Sequence, residues 1–334
     1  VDSGRLRYLI FLNLLLSNVT LMYKWFLFLL PLSAFSQQPV YDILIRNGKI
    51  VDGTGNNWYY GNVAVKNGKI VKAGRAILDS AASVIIDATG LVVAPGFIDV
   101  HTHIEDNESR DPTAANFIYD GVTTVVTGNC GESNTDIGKY LSWLHSLHLS
   151  VNVATLIGHN DIRKAVMGLA NHDATPQEML QMEAMVNKAM QDGAVGLSTG
   201  LIYIPGTYTK TPEIIALAKI VSKYGGVYAT HIRDEGDSVV SAINEAIAIG
   251  REAGIPVEIS HFKLSGQQNW GRSKETIQMV KTAREQGIEV TIDQYPYTAS
   301  STSISTLLPD EILADGQDSI RARLQNEAIK KDVV

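Results

Sequence analysis

The sequence predicts an α/β protein, a TIM-like (β/α)8 barrel truncated before strand 8, with a small β subdomain ahead of it. From residue 92 onward, seven apolar, strand-like runs follow one another, and helical stretches separate several of them. Buried strands that alternate with helices form parallel sheets covered by those helices. Seven such strands without a topological break indicate a barrel. The alternative, an open doubly wound sheet, usually has a glycine-rich turn after its first strand, where this chain has His101-Thr102-His103.

Residues 1–36 are expected to lie outside the folded protein. Met22-Tyr23-Lys24 gives a short positive start, residues 25–32 are apolar, and Ser33-Ala34-Phe35-Ser36 consists mostly of small residues. This pattern is typical of a secretory signal peptide cleaved near Ser36, with residues 1–21 as an upstream extension. It predicts export, to the periplasm in a bacterium. The alternative is an uncleaved membrane anchor, because residues 9–16 are also apolar.

Residues 37–91 are predicted to form the small β subdomain. Alternating apolar residues lead into Asn47-Gly48 and again into Asn67-Gly68, and Asn-Gly-Lys-Ile-Val occurs at both places. Asn-Gly after such a strand is a strong signal for a two-residue hairpin turn. We therefore expect hairpin turns at both places and a small antiparallel sheet.

Residues 92–334 are predicted to form the incomplete barrel. Thr175-Pro176-Gln177-Glu178 combines an N-cap, a proline at the first helical position and a capping-box glutamate, and Thr211-Pro212-Glu213 starts the next helix similarly. Further helical stretches span residues 238–252, 273–286 and 317–329. The expected strands are 92–100, 122–129, 150–157, 194–199, 226–231, 256–261 and 288–293.

Composition narrows the class of protein. The chain has 334 residues, of which 45% are hydrophobic, and a net charge of −7 with a pI near 5.6. An acidic chain without a basic cluster disfavours nucleic acid as a partner. Its single cysteine, Cys130, excludes an internal disulfide, so the thiol is inert in the core, reactive, or bound to a metal.

Metal-binding side chains fall at the ends of the predicted strands. His101 and His103 close the first strand, and residues i and i+2 of a strand point the same way. Barrels place their functional groups at the carboxyl ends of strands, and imidazole and thiolate together suit zinc. We therefore expect one or two zinc ions, and we interpret His159 as structural or as a support for a ligand. The other side chains at strand ends are Cys130, His159, His231, His261 and Asp293.

The motifs around these residues resemble those of the amidohydrolase superfamily. The segment from Pro95 to His103, PGFIDVHTH, is similar to its first-strand motif. The resemblance extends from about residue 41 to 310, and it implies a metal-dependent hydrolase with a catalytic barrel over 92–334 behind a small β-sandwich. Further motifs resemble the D-aminoacylases (N-acyl-D-amino-acid deacylases): Gly128-Asn129-Cys130-Gly131, and the segments 198–206, 230–235, 260–263 and 295–302.

The resemblance implies roles for individual residues. Cys130, His231 and His261 would hold a tightly bound zinc ion, and His101 and His103 would help to hold a second, weaker one. Many relatives bridge two metals with a carbamylated lysine on strand 4, but residues 194–199 contain no lysine, so Cys130 would be the bridge. The positions that match substrate contacts are Tyr203, Lys263, Tyr295 and Ser301.

The implied reaction is zinc-dependent hydrolysis of an N-acyl-D-amino acid to a D-amino acid and a carboxylate. The expected general base, an aspartate at the end of strand 8, has no match before Val334, so we expect a fragment of a longer protein. Alternatives are a cyclic amidohydrolase of the hydantoinase or dihydroorotase type, a dipeptidase acting on D-residues, and an inactive truncated product. The expected partner is the small-molecule substrate, with neither nucleic acid nor a stable membrane partner.

Overall fold

The computed structural model describes residues 40–75, 77, 82–105, 107–303, 306 and 308–333. The chain forms two compact units, with the boundary between Pro95 and Gly96. The expected signal peptide and upstream extension, residues 1–36, lie outside the described residues. None of the helices in the described part of the chain is both long and apolar enough to cross a membrane.

The first unit contains a five-stranded mixed sheet. Its strands are β1 (Tyr41–Ile50), β2 (Tyr59–Lys66), β3 (Lys69–Gly74), β4 (Ala82–Asp87) and β5 (Val92–Val93). The order is β3-β2-β1-β4, and β5 also pairs with β1. Neighbours among β1, β2 and β3 are antiparallel, whereas β4 and β5 run parallel to β1. The predicted antiparallel sheet is therefore right for β1, β2 and β3 and wrong for β4, which returns to β1 through a connection rather than a tight turn. β5 comes from the run 92–100, which is predicted as a strand of the barrel.

The two Asn-Gly pairs of the first unit have different roles. Asn67-Gly68, with φ of 50° and 70°, forms the turn between β2 and β3, as predicted. Asn47-Gly48 lies inside β1, where the pairing with β2 shifts in register, so the hairpin predicted there is wrong. The Asn47 backbone N–H donates to Asn62 Oδ1 at 2.9 Å, and this side-chain bond replaces a ladder bond at a bulge in one long strand.

The run 92–100, predicted as one buried strand, is divided between the two units. β5 ends at Val93, and β6 (Phe97–Asp99) belongs to the second unit. Gly96 lies between them, where a Cβ atom would be 2.2 Å from Thr123 Oγ1, so only glycine allows this close approach. Phe97 and Ile98 are 63% and 62% exposed because β6 is the edge of its sheet, and the predicted burial is wrong.

The second unit has parallel strands in chain order, as predicted. They form a three-stranded sheet that begins with β6 and a five-stranded sheet that ends near residue 292, and every pair is parallel. Leu156 alone separates the last strand of the first sheet from the edge strand of the second. The strands after β6 are β7 (Val122–Thr127), β8 (Asn152–Thr155), β9 (Ile157–Gly158), β10 (Gly196–Gly200), β11 (Val227–His231), β12 (Val257–Ile259) and β13 (Val290–Ile292).

Helices follow most of these strands and cover the main hydrophobic core. The predicted capping box at Thr175 is present: its hydroxyl accepts from the Glu178 backbone N–H, and the Glu178 carboxylate accepts from the Thr175 backbone N–H. The stretch 317–329, predicted as one helix, belongs to two helices that lie on either side of Asn326. The helices are α1 (Ala115–Tyr119), α2 (Ile137–Ser146), α3 (His159–Met167), α4 (Pro176–Gln191), α5 (Thr211–Ser222), α6 (Val239–Ala253), α7 (Ser273–Glu285), α8 (Asp310–Leu313), α9 (Gln317–Gln325) and α10 (Glu327–Val333).

Candidate metal centre

Three imidazoles, a thiol and a carboxylate meet at the carboxyl ends of the second unit's strands. Each ends a strand or follows one within three residues, and parallel pairing brings these ends to the same edge. This is the edge at which parallel α/β sheets bind their ligands. The residues are His101 after β6, Cys130 after β7, His231 at the end of β11, His261 after β12 and Asp293 after β13.

The thiol of Cys130 is the centre of this cluster. Its Sγ lies 3.6 Å from His101 Nε2, 3.9 Å from His231 Nδ1 and 3.7 Å from His261 Nε2. A thiol has one hydrogen and cannot donate to three imidazole nitrogens. A zinc ion bound tetrahedrally, with bonds of about 2.3 Å to sulphur and about 2.0 Å to nitrogen, separates those two ligand atoms by about 3.5 Å. The donor set and its spacing therefore fit a divalent metal ion of the zinc type.

His103 lies beside this cluster. Its ring centroid is 5.3 Å from that of His101, and its side chain is exposed. Two groups of side chains in the described part of the chain could hold a metal ion, and His103 belongs to neither of them. Four of the five predicted ligands therefore lie around one point, at the Cys130 sulphur. The assignment of one tightly bound and one weakly bound zinc ion stays a prediction. The groups are His101, Cys130 and His261, and His231, Glu235 and His261.

Cys130 and His261 share a strained backbone conformation. Their φ angles of 54° and 38° lie in the left-handed region that residues with a side chain avoid. Gly128 and Gly131, with φ of 76° and 81°, flank the cysteine, and a Cβ atom on Gly131 would lie 2.3 Å from Asn160 Oδ1. Such conformations persist where the surroundings enforce them, and they cluster at functional sites. The glycines of this turn allow it to present the thiol to the imidazoles.

Two carboxylates that were not predicted as metal ligands lie behind the imidazoles. Glu235 Oε1 is 2.9 Å from His261 Nδ1, and Asp293 Oδ2 is 3.1 Å from His101 Nδ1. Carboxylates in this position orient imidazoles that bind metals through the other nitrogen. The only sequence signal for Glu235 is its place four residues after His231, and the only signal for Asp293 is its place after a strand.

Burial sets the charge state of the metal-free site. Burial, and then the nearby carboxylates, raise the pKa of the Cys130 thiol to about 12. Burial lowers the pKa of His231 to about 3, because a charged imidazole loses its hydration there. Glu235 remains ionised: burial opposes its charge, but the hydrogen bond from His261 and its other partners hold its pKa below the usual value. The thiol and the imidazole are therefore neutral near pH 7, and a bound cation would favour the thiolate.

A cavity of about 490 Å³ opens over the cluster. It is lined by the five predicted metal ligands and by the four predicted substrate contacts, so the structure brings together every residue proposed for the site. Glu235 and Asp293 also line it. The predicted residues at its wall are His101, His103, Cys130, Tyr203, His231, His261, Lys263, Tyr295 and Ser301.

The predicted substrate contacts include a cation and hydroxyl groups. Lys263 Nζ is 2.5 Å from Glu235 Oε1 and 5.6 Å from the centre of the Tyr295 ring. The Tyr203 hydroxyl is 3.0 Å from Thr302 Oγ1. Lys263 is thus held at the cavity wall by a carboxylate and an aromatic face.

A second cavity, of about 890 Å³, shares His103 with the first. Glu105, Glu132 and Asp161 line it, together with Lys164. Burial raises the pKa of Glu132, and the two other carboxylates add to that shift. The wall on this side of the site therefore disfavours a negatively charged group.

His159, the remaining histidine at a strand end, is part of a separate buried network. Its Nε2 is 2.8 Å from Glu213 Oε1, and Arg163 donates to both oxygens of that carboxylate at 2.8 and 2.6 Å. His159 and Arg163 are fully buried on α3, and Glu213 lies on α5. The network therefore joins two helices, and none of its members lines the cavity over Cys130.

Similarity to known proteins agrees with these observations. A family model described as "Amidohydrolase family" matches residues 84–287. The chain is 38% identical over 315 residues to D-aminoacylase of Alcaligenes xylosoxydans xylosoxydans, which covers 86% of this chain and 63% of that protein. The chain therefore spans less than two thirds of the length of this relative.

Two solved structures are similar over most of the chain. A crystal structure of D-aminoacylase has a TM-score of 0.74 and 37% identity, covering 78% of this chain and 59% of that one. N-acyl-D-glutamate deacylase from Bordetella bronchiseptica, complexed with zinc and a phosphonate that mimics the tetrahedral intermediate, has a TM-score of 0.71 and 36% identity, covering 77% and 59%. The resemblance found in the sequence is confirmed, and the chain belongs to the amidohydrolase family, with the D-aminoacylases among its relatives.

Proposed function

We propose that this protein is a zinc-dependent hydrolase that converts N-acyl-D-amino acids to a D-amino acid and a carboxylate. The observation that carries the proposal is the convergence of three imidazole nitrogens on the Cys130 thiol at 3.6–3.9 Å, inside a cavity that also contains Lys263. The zinc and phosphonate complex of the N-acyl-D-glutamate deacylase supports both the metal and the amide-hydrolysing chemistry.

The metal and the substrate would be held by different parts of the cavity wall. Cys130, His231 and His261 would hold one zinc ion, and His101 and His103 would help to hold a second, weaker one. Zinc, when bound, lowers the pKa of a water ligand to about 7 and polarises a carbonyl oxygen. Lys263 would bind the carboxylate or acyl oxygen of the substrate as a charge-assisted donor. The hydroxyls of Tyr203, Tyr295 and Ser301 border the same space and would orient the substrate.

A linear amide fits this site better than a cyclic ureide. The cyclic amidohydrolases considered above should have a metal-bridging lysine on strand 4. The corresponding strand, β10, has the sequence GLSTG and is buried throughout, so it offers no lysine. Cys130 occupies the place between the imidazoles instead, as the D-aminoacylase resemblance implies.

We also propose that the second unit is the catalytic (β/α)8 barrel and that the protein is exported after cleavage near Ser36. Parallel strands in chain order support the barrel, and so does a candidate site at their carboxyl ends, where barrels place active sites. The first unit would be part of the small β-sandwich subdomain. Export can be checked by fractionating cells and sequencing the N-terminus of the mature protein.

The function can be tested with the gene product purified in the presence of zinc. We expect zinc in the protein and hydrolysis of N-acetyl-D-methionine but not of its L enantiomer, measured as amino acid released. Cys130→Ser should lose both zinc and activity, whereas Glu252→Ala, an exposed change on α6, should lose neither. Hydrolysis of a cyclic ureide alone would contradict the proposal.

The charge of the amino acid side chain gives a finer test. Because carboxylates line the cavity next to His103, we expect substrates with neutral or cationic side chains to have a higher kcat/KM than those with anionic ones. N-acetyl-D-methionine, N-acetyl-D-lysine and N-acetyl-D-glutamate form a suitable series. A preference for the glutamate derivative would show that the side chain does not face this wall.

A further inference from the structure

We propose that Glu235 is a positioning residue that keeps His261 in its metal-binding tautomer against competition from Lys263. The inference rests on the proposed metal centre but not on the identity of the substrate. It concerns one nitrogen, His261 Nδ1, and the two charged groups beside it.

His261 Nδ1 has two neighbours of opposite hydrogen-bonding character. Glu235 Oε1, which can only accept, is 2.9 Å away, and Lys263 Nζ, which can only donate, is 3.0 Å away. Lys263 Nζ also lies 2.5 Å from Glu235 Oε1 and 3.2 Å from the His261 carbonyl oxygen. The carbonyl oxygen thus gives the ammonium group a contact beside the ring that does not involve the carboxylate.

The two neighbours select opposite tautomers of the ring. A neutral imidazole has one N–H, and its other nitrogen has the lone pair. If Nδ1 donates to Glu235, the lone pair is on Nε2, which faces the Cys130 thiol at 3.7 Å and can bind a cation. If Lys263 donates to Nδ1, the proton is on Nε2, and that atom cannot bind a metal. The carboxylate of Glu235 thus decides whether His261 is available as a ligand.

The surroundings make this choice sensitive to the carboxylate. The side chains of Glu235 and Lys263 are only 12% and 19% exposed, so little water can replace either of them.

His231 has a similar arrangement with a longer distance to the carboxylate. Its Nδ1 faces Cys130, and its Nε2 is buried without a hydrogen-bond partner among the described residues, 3.9 Å from Glu235 Oε1. The same carboxylate lies behind both rings.

Four variants test the competition: Glu235→Ala, Lys263→Met, the double variant, and Glu252→Ala as an exposed control. Zinc affinity is measured by competition with a chelator. We expect Glu235→Ala to weaken zinc binding about 10- to 100-fold, the size of effect seen when such a support is removed. The double variant should regain most of that loss, because nothing then donates to Nδ1. Lys263→Met and Glu252→Ala should bind zinc as the unchanged protein does.

The tautomer itself can be measured by ¹⁵N NMR of the imidazoles in the metal-free protein. The proton of His261 should be on Nδ1 in the unchanged protein and on Nε2 in Glu235→Ala. A double variant that binds zinc as weakly as Glu235→Ala, or a tautomer that does not change, would overturn the proposal. Circular dichroism establishes that each variant is folded. If the unchanged protein neither binds zinc nor hydrolyses N-acyl-D-amino acids, the proposed function fails, while the NMR measurement still decides the role of Glu235.

Discussion

Two imidazole–glutamate pairs in the second unit have similar bonds and opposite surroundings. His261 Nδ1 is 2.9 Å from Glu235, and His159 Nε2 is 2.8 Å from Glu213. The second pair is closed: Arg163 shares the carboxylate, and His159 is fully buried. The first pair is open, because the other nitrogen of His261 faces a thiol at the wall of a cavity. A carboxylate beside one histidine nitrogen therefore does not by itself indicate a metal site. The distinguishing feature is whether the other nitrogen of the ring faces a cavity.

The largest expected effect distinguishes the open pair from the closed one. His261→Ala removes the residue that is common to both groups of side chains that could hold a metal ion, so we expect zinc to be lost and amide hydrolysis to fall to background. Metal analysis and the N-acetyl-D-methionine assay measure this. His159→Ala should keep its zinc per folded molecule. If the two variants lose zinc equally, the distinction between the pairs is wrong.

The closed pair should matter for stability instead. Glu213→Ala leaves Arg163 as an uncompensated buried charge, so we expect the free energy of unfolding to fall by about 3–5 kcal/mol. Urea denaturation measures the loss, and zinc content is measured on the folded fraction. Glu275→Ala, which removes an exposed partner of Arg272, is the control and should cost less than about 1 kcal/mol. A loss of comparable size in both variants would contradict the interpretation.

The open site should make the metal-free protein less stable as the pH falls. The pKa of His231 is about 3 in the folded protein, against an ordinary value of 6.5, and burial is the main cause. The charge of Glu235 opposes this shift, whereas the charges of His261, Lys263 and His101 add to it. Below pH 6.5 the unfolded chain therefore takes up a proton that the folded one does not. We expect a loss of about 2 kcal/mol from pH 6.5 to pH 5.

Urea denaturation of the metal-free protein at several pH values checks this dependence. His231→Asn removes the group that titrates, so its free energy of unfolding should change less over the same interval. Parallel curves for the two proteins would show that other groups cause the pH dependence.

The smallest effect is expected from a neighbour of the closed pair. Thr209 Oγ1 lies 3.5 Å from both His159 Nε2 and Glu213 Oε1, at the limit of a hydrogen bond. Because Glu213 already accepts from His159, Thr209→Val should cost about 1 kcal/mol or less of unfolding free energy and leave zinc binding unchanged. A loss as large as that of Glu213→Ala would mean that the hydroxyl, and not the carboxylate, holds the imidazole.

Local sequence patterns were enough to predict the parallel strands of the second unit, the helix capped by Thr175, and the histidines and cysteine at strand ends. Strand and helix periodicity are local properties, so they can be read from neighbouring residues. The candidate metal ligands followed from the predicted strand ends, because barrel folds place functional side chains there. The four substrate contacts were instead implied by the resemblance to the D-aminoacylases.

The division of the run 92–100 between two units and the bulge at Asn47-Gly48 inside β1 became visible in the folded protein. So did the contacts of Glu235 and Asp293, whose partners lie 26 and 192 positions away along the chain. The physical reason is the same in each case. The pairing of strands and the proton on an imidazole depend on which groups meet across the fold, and no local pattern specifies those distances.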